Sequence, residues 1–167
     1  MKQFFIAIIL FFNVAVIHAQ LNTYDFDSYR LDKDEDYKAV EPVIAKVADH
    51  LLTTPIDENI ADREKAIDFL YEWMQGTPDY IFGTGRIEII LGNDKQLKGI
   101  LYAAQAEYAL ENVESVKDNP AAKRAVWTTL QDYAQMKQNH VMLTPKLKEL
   151  ITAYKQGNLD EFIKRHE

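Results

Sequence analysis

Cysteine is absent from the 167-residue chain. That absence excludes a disulfide scaffold, a CxxC zinc site, a thiol nucleophile and a lipid anchor attached through sulfur. Histidine is scarce: beyond residue 19 only His50, His140 and His166 occur. No two of them stand three or four residues apart and HExxH is missing, so the sequence calls for no metal and no other cofactor. Serine is scarcer still, with Ser28 and Ser115 alone in that stretch, neither in a Gly-x-Ser-x-Gly elbow. Glycine and proline occupy only 6 and 5 positions against 47% hydrophobic residues, which excludes a disordered or collagen-like chain. Positive charge is short as well. Lys+Arg number 19 against 26 Asp+Glu, a net charge of −7 that speaks against nucleic acid and anionic lipid as partners.

The longest apolar run lies at the start, MKQFFIAIILFFNVAVIHA. Lys2 forms a positive n-region, Phe4 to Ile17 is apolar but for Asn13, and Ile17 and Ala19 fill the −3 and −1 positions of a cleavage site before Gln20. The run is shorter than the roughly 20 residues of a spanning helix. Residues 1–19 therefore read as a cleaved signal peptide, which implies export to the periplasm or the extracellular space and no stable membrane insertion after cleavage. Removing 19 residues, Lys2 among them, from 167 leaves 148 residues and a net charge of −8. That length suits one domain.

Residues 20–36 carry no helical period and end in an acidic cluster, so they read as an extended acidic tail; residues 37–167 read as a single helical domain. Ala39, Val43, Ile44, Val47 and Leu51 place a first helix from near Tyr37 or Glu41 to near Leu52, with Pro42 in its first turn. Ile60, Ile67, Leu70, Tyr71 and Met74, widened by Ala66, Phe69 and Trp73, make a second helix whose broad apolar arc suggests a central position. Gly76 offers a left-handed cap, and Pro78 forbids continuation. Residues 86–91 fit a strand or a further helical turn, and the lack of a convincing second strand favours a helical or irregular link. Asp94 caps a third helix to about Val116, in which Gly99, Ala103 and Ala106 invite close approach. Asn119-Pro120 and Thr144-Pro145 open two more. Gly157 ends the latter, and a short helix holds Leu159, Phe162 and Ile163. The expected fold is all-α, a compact bundle or array of five to six helices.

Few motifs suggest chemistry. Asp32, Asp34 and Asp36 alternate like a calcium loop, but Tyr37 stands where the loop needs glycine and Val43 where it needs glutamate. Carboxylate pairs such as Glu64 with Asp68 and Glu107 with Glu111 fall on one face of any acidic helix, so they show no cleft of the kind a glycosidase needs. Gly83-Thr84-Gly85-Arg86 lacks the rest of a P-loop. The loop after the second helix is unusual, because Asp79, Tyr80, Phe82 and Arg86 combine two aromatics with both charge signs. Those four residues are the candidate binding site: the rings either plug the end of the bundle or form a contact surface.

The segments FLYEWMQGTPDY and YKQGNLDEFI, with Trp73, Met74, Gly76, Thr77 and Pro78 and then Gly157, Leu159 and Phe162, carry a resemblance. Over roughly residues 40–165 the chain is similar to an uncharacterised family of small secreted helical proteins of the Bacteroidota. The resemblance implies an all-α secreted fold and transfers no site residue or activity. Three functions stay open. The first is a non-catalytic interaction or binding module for a protein partner or small ligand. The second is a small-ligand carrier with a cavity lined by Trp73, Tyr108 or Trp127. The third is a hydrolase with convergent carboxylates.

Overall fold

A computed structural model describes residues 25–83, 86 and 90–166. The expected signal segment 1–19 and residues 87–89 of the 86–91 link lie outside the described residues; Ile90 and Leu91 are helical and buried. The chain forms six α-helices with no strand among those residues: α1 (Asp34–Thr53), α2 (Ile60–Gly76), α3 (Lys95–Asn112), α4 (Pro120–Gln135), α5 (Pro145–Lys155) and α6 (Leu159–His166). The all-α expectation holds.

Local chemistry sets several boundaries. The Asp94 carboxylate accepts from the Leu97 N–H at 3.0 Å, Asn119 from those of Ala121 and Ala122 at 3.1 Å, and the Thr144 hydroxyl from that of Leu147 at 3.2 Å. Each cap satisfies an N–H that has no partner within its helix. Gly157 ends the α5 turn at φ +76°, where a side chain would be strained.

The tail reading is corrected from Asp34 onward. Asp34, Glu35 and Asp36 form the first turn of α1, where carboxylates meet the positive end of the helix dipole. The Asp36 carboxylate accepts from the backbone N–H of both Asp32 and Lys33 at 3.1 Å. Just before it, Phe26 and Tyr29 pack on Phe69 of α2 at ring separations of 5.0 and 5.4 Å. Pro42 then lies inside α1 rather than in its first turn. The break it makes is tolerable because Pro42 is on the exposed side, where the orphaned Lys38 carbonyl can turn to water.

Two apolar clusters fill the molecule, and α3 divides them. Leu97, Ile100, Leu101 and Ala104 face Trp127, Leu130, Leu147, Leu150 and Phe162. On its other side Ala103, Ala106 and Ala109 face Ile44, Val47, Leu51, Ile67, Leu70 and Trp73. The central helix is therefore α3, not α2. Small residues let α1 come close, and α1 with α3 is the most extensive helix pair. At Gly99 an added Cβ would fall within 2.5 Å of Ile67 Cγ1, so the glycine makes room for α2. Gly76 serves the same purpose rather than a left-handed cap: it is the last helical residue, and the Tyr37 ring occupies its Cβ space. The Tyr37 carbonyl in turn accepts from Trp73 Nε1 at 3.1 Å.

One buried cation joins the helix ends. Arg63 of α2 is fully buried and donates to the Thr54 hydroxyl at 2.7 Å, the Gln96 side-chain oxygen at 3.0 Å and the Leu51 carbonyl at 3.4 Å. Tyr133 of α4 donates to the Thr54 carbonyl at 2.7 Å. Burial pushes the Tyr133 phenol up to about 12, with Arg63 opposing the shift.

Candidate functional site

The loop after α2 was the expected binding element. Thr77 takes an extended conformation, and the Ile81 carbonyl accepts from the N–H groups of Val116 and Lys117 at 3.0 Å. The Ile81 N–H donates to Ser115 Oγ at 2.9 Å and that of Gly83 to the Gln105 side-chain oxygen at 3.0 Å. Tied down in this way, the loop sends its rings inward. Tyr80 is 6% exposed, with its ring 6.0 Å from Trp73, and Phe82 lies 5.6 Å from the same indole. Burial raises the Tyr80 phenol. Asp79 stays on the surface 3.6 Å from Lys38 Nζ, and the exposed Arg86 is held through its backbone N–H to the His166 carbonyl at 2.7 Å. The two rings thus adopt the plug geometry while Asp79 and Arg86 remain outside.

An aromatic surface lies elsewhere, between α2 and α3. An open hollow of about 200 Å³ is lined by Ile67, Asp68, Tyr71, Asn93, Lys95, Lys98 and Tyr102. The Tyr71 and Tyr102 rings are 5.2 Å apart and tilted by 31°, and Tyr71 is 45% exposed. Asp68 pairs with Lys95 at 2.8 Å. Lys98 is half-buried and in no ion pair among the described residues. Apolar periodicity had placed Tyr71, like Ile60, on a buried stripe, yet both are exposed. A sequence signal was available: Lys95, Lys98 and Tyr102 stand at i, i+3 and i+7, which puts two cations and a ring on one face of α3.

The two tryptophans were the expected lining of a carrier cavity. Trp73 and Trp127 are buried within the two cores, and neither borders this hollow. The Tyr108 hydroxyl reaches Glu114 at 3.4 Å. His140 and Asp57 form a pair at 2.9 Å that depresses the Asp57 carboxyl, chiefly through that hydrogen bond. Both side chains are more than half exposed. Such a pair orients an imidazole, but neither Ser28 nor Ser115 belongs to its loops. No group of three metal-ligating side chains occurs among the described residues, and no helix there is long and apolar enough to cross a membrane.

Fold and site together define a small all-α domain with two apolar cores and an open, tyrosine-lined hollow on one side. No known protein family, curated protein or solved structure matches the chain.

Proposed function

We propose that this chain is a non-catalytic binding module, exported to the periplasm or beyond the cell, that takes a small ligand in the hollow between α2 and α3. The observation that carries this reading is the Tyr71–Tyr102 pair. Two adjacent rings, one nearly half exposed, keep apolar surface in water beside polar groups of both hydrogen-bonding senses. Aromatic side chains contribute large contact area at low conformational cost, which is why they concentrate where ligands and partners sit. The likeness to small secreted helical proteins of the Bacteroidota fits the exported assignment.

Amide NMR spectra recorded against mixtures of small polar and aromatic compounds test the reading. Ligands of this module shift the amides of Tyr71, Lys98 and Tyr102 in concert. A screen in which those amides stay still while the protein remains folded overturns the proposal.

A further inference from the structure

We propose that the ligand is an acidic saccharide, with one uronic-acid ring stacked on Tyr71 and its carboxylate at Lys98; this rests on the binding-module reading above. The face of a pyranose presents C–H groups that carry partial positive charge, and a tyrosine face carries partial negative charge. The paired rings supply such a face, and a hollow of about 200 Å³ is small enough to hold one ring unit rather than a large apolar ligand. Sugar hydroxyls both donate and accept, so they need partners of both kinds. Asp68 accepts, Lys95 and Lys98 donate, and the Asn93 amide does both.

Charge selects the class of sugar. Asp68 and Lys95 neutralise each other at 2.8 Å, which leaves Lys98 as a net cation within the hollow. The chain as a whole carries −7, and Lys98, half-buried beside two rings, is not screened as an open surface lysine is. An anionic substituent gives it a partner that a neutral sugar lacks. Tyr71 and Lys98 line the same hollow, so a carboxylate carried on the ring itself would let both interactions belong to a single unit.

Titration calorimetry and amide NMR with tetragalacturonate, its methyl ester and inorganic sulfate test the assignment. The acid form is expected to bind at least about tenfold more tightly than the ester and to shift the amides of Tyr71, Lys98 and Tyr102. Lys98→Met should erase the preference for acid over ester. Tyr71→Leu, which keeps apolar cover over α3 but removes the polarised ring, should abolish binding of both while circular dichroism stays unchanged. Equal binding of acid and ester, sulfate binding as tight as the tetramer, or full binding by Tyr71→Leu overturns the assignment. If tetragalacturonate leaves the hollow unmoved while another compound shifts those amides, the saccharide falls and the binding module stands. If nothing shifts them, both fall.

Discussion

Replacing Gly99 by alanine should destabilise this protein, although the same change in an ordinary helix interior stabilises it. Alanine exceeds glycine in helix propensity by about 0.8–1 kcal/mol. Against that gain stands Ile67, whose Cγ1 is 2.5 Å from where the new Cβ would lie and whose Cδ1 is nearer still. Carbon atoms pack at about 3.5–4.0 Å, so the overlap is about 1 Å or more. Rotating Cδ1 away does not free Cγ1, because a β-branched residue in a helix has one strongly preferred χ1 rotamer. Overpacking of this kind costs about 1–3 kcal/mol. With the upper half of that range set against the propensity gain, Gly99→Ala should lose about 1–2 kcal/mol net. The control is Ile67→Ala, which alone costs about 2–5 kcal/mol as a cavity but removes every clashing atom. In that background Gly99→Ala should change sign and stabilise by about 1 kcal/mol. Urea titrations of the four proteins, followed by helical circular dichroism, read the cycle directly. A stabilising Gly99→Ala in the wild-type background, or one equal effect in both backgrounds, refutes the close-approach argument.

The double change Tyr80→Ser with Phe82→Ser should lower stability by a few kcal/mol, about 3 or more, because both rings pack on Trp73; an unchanged melt would mean that the rings do not plug the core. The Tyr133 phenol is held near 12 when folded against an ordinary value near 10, so its contribution is intact below about pH 10 and is lost as pH rises toward 12. Alkaline melts should therefore show a loss of at most about 3 kcal/mol that Tyr133→Phe removes, the variant itself costing about 1–2 kcal/mol at neutral pH through the lost bond to Thr54. Val113 sits at φ +55° while 75% exposed, so Val113→Gly should relieve left-handed strain at little packing cost and gain about 0.5–1 kcal/mol in thermal denaturation; a loss of stability refutes the strain. Mass spectrometry of the exported protein should find Gln20 as the first residue, and residues 1–19 retained in a membrane fraction would contradict cleavage.

The legible parts of this fold were those set by short-range chemistry. Asp94, Asn119-Pro120, Thr144-Pro145 and Gly157 mark their helix ends because a cap is a bond between near neighbours in sequence. The small residues Gly99, Ala103 and Ala106 announced close packing for the same reason, since a missing side chain is visible without knowing the partner. What stayed hidden depends on which elements meet. The breadth of the α2 arc counted apolar residues but could not show that α3 divides the molecule. Periodicity gave Tyr71 a face without showing that the cover stops short of it, and loop position left Tyr80 and Phe82 as either plug or contact surface, a choice decided by the bonds of Ile81 and Gly83 to the 115–117 turn and α3. The candidate site moved accordingly, from a loop whose aromatics are packed to a helix pair with Tyr71 open beside Tyr102.

From Gln96 to Leu110 every residue of α3 is at least partly buried. A helix gripped by two clusters has no half that can loosen alone, since fraying either one uncovers one of its walls while the other still holds it. Its amides are expected to exchange with solvent only when the whole domain opens, which makes α3 the place where global stability is measured most directly. The same placement gives the parts before and after it a shared need: a cut on either side of α3 leaves one piece with the helix and the other without a wall of its core.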